Sequence, residues 1–274
     1  MKMTLVLGLI VFTLLTPTAV QADQGCSAVK AAAAAAEQPP QTPLQKILDN
    51  LQKNATELTS CTAKLTYLVI QDPDLLDSRT TRKGALHYLK SNGRSQVKIQ
   101  FDSVQQDDFD EEKRLEIYLF DGVWLTKIDY ALEQVDMLQQ APEDKPLDAF
   151  DFLTHHFPLV GFSGSKDFET EFDVHLAEPA ENEQNLAHLI LNVKPDSRYS
   201  KDYKTIDFWI DNASYLPHRV RTLSTQGDFY DILFTDIETN KKIDKKIFAL
   251  EIPDQFQKNV ETLKETQPSS KGEN

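Results

Sequence analysis

Along most of this chain, apolar side chains recur at every second position. The clearest stretch lies near the C-terminal end. Ile206, Phe208 and Ile210 form one alternating run, Leu216 to Leu223 a second and Phe229 to Phe234 a third, with Asp, Asn and Gly at the joins. Period two separated by turn residues predicts an antiparallel meander, and Phe248 is placed on a closing strand. The same rhythm holds upstream. Ala63, Leu65, Tyr67 and Val69 alternate with polar neighbours; Gly84 to Lys90 follows, then Val97, Ile99 and Phe101 after a turn at Ser91-Asn92-Gly93. Leu115, Ile117 and Leu119 are separated from Val123 and Leu125 by Asp121-Gly122, a two-residue hairpin signal. Leu132 to Met137, Phe172-Val174-Leu176 and Leu189-Leu191-Val193 complete the set.

The period changes twice. Leu44, Ile47, Leu48, Leu51, Ala55 and Leu58 fall on one face of a helix over 43–58, with Thr42 as its N-cap and Pro43 in its first turn. Leu147, Phe150, Leu153 and Phe157 predict a second amphipathic helix over 146–160. Ten or eleven strands with two helices and no strand–helix–strand rhythm predict an α+β fold built on one antiparallel, strongly curved sheet. Leu68 and Ile70 oppose Tyr67 and Val69, so some strands are apolar on both faces. Both faces are therefore covered in part, or one lines an apolar cavity.

The ends read differently. Lys2, the apolar run Leu5 to Leu15 and Val20-Gln21-Ala22 give residues 1–22 the layout of a secretory signal, its apolar run shorter than the about 20 residues of a membrane span. Residues 23–42, with the alanine run 31–36, read as a low-complexity linker. The folded domain is expected over 43–258, followed by a polar, frayed tail over 259–274. Of 274 residues 40% are hydrophobic and 26% charged, a globular composition. The formal charge of −14 argues against nucleic-acid binding and against anionic headgroups. Cys26 and Cys61 are either bridged, tethering the arm to the sheet, or two free thiols.

Candidate chemistry is sparse. His155 and His156 are adjacent, so on a helix they point about 100° apart and do not share an ion. The acidic run Asp107-Asp108-Phe109-Asp110-Glu111-Glu112 lacks the spacing and central glycine of a calcium loop. Asn54-Ala55-Thr56 and Asn212-Ala213-Ser214 match the glycosylation pattern by chance. There is no nucleophile elbow, phosphate loop or dinucleotide motif. Neither an enzyme, a metal site nor a cofactor is expected.

Several motifs in series resemble the periplasmic outer-membrane lipoprotein carrier family (LolA-like). These are the helix-to-strand opening Leu58-Thr59-Ser60-Cys61, the strand Gly84-Ala85-Leu86-His87-Tyr88, the hairpin Leu119 to Leu125 and the C-terminal block 204–249, together spanning about residues 43–258. The resemblance implies an eleven-stranded half-open β-barrel with helices as a lid. It implies a soluble, monomeric periplasmic carrier that binds lipoprotein acyl chains and exchanges them with membrane-bound donor and acceptor proteins. A lipid-sensing regulator of the same fold, which does not transport, is the alternative. The expected cavity residues are Leu68, Ile70, Leu86, Tyr88, Ile99, Trp124, Phe150, Phe208 and Phe234, although the sequence leaves open which strand face points inward. Lys90 falls where the family has a lid-binding arginine, and a lysine lacks the guanidinium fork that bonds several carbonyls at once.

Overall fold

The computed structural model describes residues 42–149, 152, 168–181 and 183–263. Helix α1 spans Pro43–Glu57, with Thr42 Oγ1 accepting a hydrogen bond from the Gln45 amide at 3.1 Å and proline in the first turn. Its buried stripe is Ile47, Leu48 and Leu51, as the spacing predicts. Near its C-terminal end Asn54 Nδ2 donates to the carbonyls of Ser214 and Tyr215.

The strands in chain order are β1 (Ser60–Ile70), β2 (Arg79–Ser91), β3 (Arg94–Gln106), β4 (Glu112–Phe120), β5 (Trp124–Asp129) and β6 (Gln134–Gln139). A single turn of helix, α2 (Phe168–Glu171), leads into β7 (Phe172–Ala177). Then come β8 (Leu186–Val193), β9 (Tyr203–Asp211), β10 (Pro217–Ser224), β11 (Phe229–Thr239) and β12 (Gln257–Glu261). They form one open sheet in the order β12-β6-β5-β4-β3-β2-β1-β11-β10-β9-β8-β7. The sheet is two meanders joined where β1 pairs with β11. Turn chemistry sets the hairpins. Asn92 and Gly93, at φ 54° and 76°, join β2 to β3 through the two-residue turn that matches strand twist. The Asp121-Gly122 hairpin is wider than expected. Phe120 pairs with Leu125, and Asp121 Oδ1 accepts from the amides of Val123 and Trp124.

The sheet curls. The ring centroids of Tyr67 on β1 and Phe101 on β3 lie 6.2 Å apart. Their strands are two steps apart, which is roughly 9–10 Å along a flat sheet. Gly84 of β2 sits between them, in register with Leu65 and Phe101. A Cβ there would stand 1.8 Å from the Gln100 carbonyl oxygen, so only glycine fits the register shift at Lys83/Gly84. Further irregularities at Thr62/Lys64, Phe101/Ser103 and Pro217/Arg219 add bend and twist.

One face, here the inner face, carries the main core. Ala63, Leu65, Leu86, Tyr88, Val97, Ile99, Phe120, Leu189, Phe208, Val220, Ile232 and Phe234 pack in one cluster with α1. Cys61 lies in the same cluster, 1% exposed, and burial pushes its thiol up to about 12; Cys26 lies outside the described residues. Of the expected helix over 146–160, only Ala149 and Phe152 are described as helical. Both are buried in the inner cluster, with the Phe152 ring 3.9 Å from Phe120.

The outer face is covered by the chain's C-terminal segment, not by a helix. After β11 the chain makes a 3-10 turn over Lys245–Phe248, and Lys98 Nζ donates to the Ile247 carbonyl. Leu250, Ile252 and Phe256 then pack with Ile117, Ile128 and Val135. Three expectations are corrected here. Phe248 is buried in the 3-10 turn, because Asp244 caps a turn rather than starting an extended run. The sheet has twelve strands, and β12 runs parallel to β6, so it is not wholly antiparallel. The frayed tail begins too early at 259, since 259–261 pair with Asp136 to Leu138.

Candidate functional site

Strand register decides where each expected cavity residue lies. Leu86, Tyr88, Ile99, Phe208 and Phe234 are on the inner face, each no more than 2% exposed, packed into the core. Leu68 and Ile70 alternate with Tyr67 and Val69 and so stand on the opposite, outer face. Trp124 does too, since its neighbour Leu125 packs inward and its own indole Nε1 donates to Glu143 Oε1 at 3.0 Å. These three therefore do not share a face with the other five, because period two sends neighbours to opposite sides. Phe150 lies outside the described residues, as do His155 and His156. Lys90 is the penultimate residue of β2, with its ammonium 3.8 Å from Asp148, the residue ahead of helical Ala149.

The inner face is not uniformly filled. Away from α1, toward the Ile70 end of β1, it turns from fully buried aliphatic to half-buried aromatic. Tyr67, Tyr118 and Tyr203 pack against the core only in part, and Tyr230 is half-buried beside Val69. Tyr67 stacks on Phe101, and Tyr118 meets Phe101 edge-on at 6.2 Å. Burial pushes the Tyr118 and Tyr203 hydroxyls up to about 12 and raises those of Tyr67 and Tyr230. Tyr118 and Tyr203 each sit three strands from Tyr67, one on either side. This is a half-buried tyrosine surface with neutral hydroxyls over the whole physiological range.

One side of that surface is ionic. Arg114 reaches Glu116 Oε1 at 2.9 Å and Asp129 Oδ2 at 2.8 Å, and the Tyr118 hydroxyl donates to Glu116. Burial alone would raise the Asp129 carboxyl, but the Arg114 guanidinium and two backbone amides bring it below its usual range. Arg82, in register with Tyr67, lies 3.8 Å from Glu116, and its buried Nε makes no hydrogen bond. An aromatic, half-buried surface with a guanidinium at its margin suits a ligand with an apolar body and a polar end. The sequence singled out Tyr67 only as a strand residue. Its role on this surface follows from register, which periodicity alone does not give.

The outer face carries a second hollow, of about 410 Å³, lined in part by Leu68, Trp209 and Arg219. His188 stacks on Trp209 at 4.3 Å, and the Arg219 guanidinium lies 4.8 Å from the same ring. Arg219 and Arg221 both bond Asp231. Glu183, which also lines the hollow, accepts from the Trp209 indole at 2.8 Å, so the polar groups here bond one another. No cluster of three or more metal-ligating side chains exists among the described residues. Nor is any described helix long and apolar enough to cross a membrane.

No family model matches the chain, and no curated protein does. Solved structures do. An uncharacterised conserved protein from Thermus thermophilus aligns at TM-score 0.46 and 12% identity, over 80% of this chain and 100% of that one. A chain of the MucA/MucB complex of Pseudomonas aeruginosa aligns at TM-score 0.40 and 13% identity, over 75% of this chain and 60% of that one. A LolA superfamily protein is among them. It comes from Nitrosomonas europaea and aligns at TM-score 0.31 and 14% identity, over 75% of this chain and 97% of that one.

Proposed function

We propose that this protein is a periplasmic carrier that takes lipoprotein acyl chains onto the concave face of its sheet and moves them between membranes. The observation that carries this reading is the half-buried tyrosine surface formed by Tyr67, Tyr118, Tyr203 and Tyr230 beyond the edge of the α1 core. The ordered motifs of the sequence and the signal-like residues 1–22 support it. No bond is broken. Affinity comes from burying acyl CH2 groups, each worth about 0.8 kcal/mol. Release needs a partner that competes for the chain or opens the cover over it.

The test uses a fluorescent long-chain fatty acid as probe. Saturable binding at micromolar levels is expected. Tyr67→Asp and Tyr203→Asp should each weaken it at least tenfold while far-UV circular dichroism is unchanged. No binding at these levels overturns the reading. A second assay follows a lipoprotein from donor to acceptor vesicles. Probe binding without transfer would make the protein a lipid-sensing regulator rather than a carrier.

A further inference from the structure

A groove of about 890 Å³ opens at the end of the sheet opposite the Ile70 tip, between the start of β1, the end of β2 and the strap that leaves β11. Thr59, Ser60, Leu89 and Lys90 line one side and residues Asn240 to Lys245 the other. Four of the lining residues are lysines, Lys90, Lys241, Lys242 and Lys245, against a single carboxylate, Asp244. Its Oδ1 accepts from the Lys246 amide, and the four ammonium groups outnumber it. In a chain of formal charge −14, this is a local reversal of sign.

The lysines project from a clamped backbone. Asn240, at φ 56°, donates its amide to the Ser60 carbonyl and accepts at Oδ1 from the amide and hydroxyl of Thr59 at 2.8 and 3.0 Å. Ser60 Oγ donates to the Lys241 carbonyl at 2.6 Å, and buried Phe248 pins the far end. Lys241 pairs with Glu238 and Lys90 with Asp148. Lys242 and Lys245 form no ion pair among the described residues. Both stand over a hollow that Leu89 and Ile243 also line.

We infer that this groove binds the phosphate of an anionic phospholipid headgroup, seating this end of the sheet on a membrane surface. Screening allows it. The Debye length is about 8–10 Å near physiological salt, so a headgroup in the groove feels the lysines around it and little of the distant acidic surface. Binding at the groove would be a local exception to the repulsion of anionic headgroups expected from the net charge. It goes beyond the alkyl-chain reading, because headgroup capture needs no alkyl chain in the concave face and is measured on intact vesicles.

The experiment is co-sedimentation of the purified protein with vesicles of phosphatidylcholine alone or with one-third phosphatidylglycerol, at about 0.05 M and about 0.5 M salt. Binding is expected only with phosphatidylglycerol and only at the lower salt. The double variant Lys242→Glu/Lys245→Glu should bind at least tenfold more weakly, while Lys201→Glu/Lys204→Glu, away from the groove, should bind like the parent. Both pairs are exposed, and unchanged circular dichroism checks the fold. Equal binding by the Lys242/Lys245 variant, or no vesicle binding by the parent at low salt, overturns the proposal. So does calorimetric binding of inorganic phosphate without vesicle binding, which would make the occupant a free anion.

Discussion

Phe208 is 2% exposed on β9, flanked in register by Leu189 and Val220. Truncating it removes a buried ring from a close-packed cluster. Phe208→Ala should therefore cost about 3–5 kcal/mol, read as a lower urea midpoint at unchanged slope. A shift worth less than about 1 kcal/mol would mean the neighbours collapse into the space or that a cavity already lies beside it. Asp231 tests the outer face. Burial alone would raise its carboxyl, yet hydrogen bonds from Arg219 and Arg221 hold it below the usual value of 3.8. A carboxyl depressed on folding adds stability that is present above the unfolded value and lost as pH falls through the folded one. Asp231→Asn should cost about 1–3 kcal/mol at pH 7, since it strips two guanidiniums of their partner. The gap to the parent should narrow once the pH drops below about 4, measured by denaturation at a series of acid pH values.

Among the elements, α1 and the meanders were legible in the sequence. Thr42, Pro43 and the Ile47-Leu48-Leu51 stripe stand where the pattern puts them, because cap, first turn and apolar face are all local signals. The C-terminal segment was not. Residues 245–256 pack as an irregular strap on the outer face, a choice made by the bare side chains of Ile117, Ile128 and Val135 rather than by any period of the strap's own. Ending the chain after Ala249 should uncover those three residues and strand β6 at the sheet edge. A truncated protein of this kind should melt at lower temperature and bind a hydrophobic dye in its native state. Unchanged melting would show that the strap contributes nothing to the fold.

At the scale of the whole molecule, the curled sheet with one helix-covered face follows from strands that are apolar on both sides. Which face is concave does not. Leu68 and Ile70 look as suitable for an inner surface as Tyr67 and Val69, and only the pairing of β1 with β11 and β2 assigns them outward. The lysine groove was hidden for a related reason. Lys90 lies some 150 residues from Lys241 along the chain (Ser60 and Lys241, which also meet there, are 181 apart). Net charge averages over such distances, and a local sign reversal appears only when the fold gathers its members.

The pairing of β12 with β6 bears on how the molecule comes into being. Asn259 bonds Asp136 across 123 positions of sequence. A chain made from its N-terminus completes β1 to β6 as a contiguous meander long before the partner for the last edge exists. Throughout that interval β6 presents a free row of amides and carbonyls, the kind of edge to which other extended chains add. The β6 edge is thus open during synthesis and closes only when the final strand arrives, which leaves the short β12 as the edge in its place.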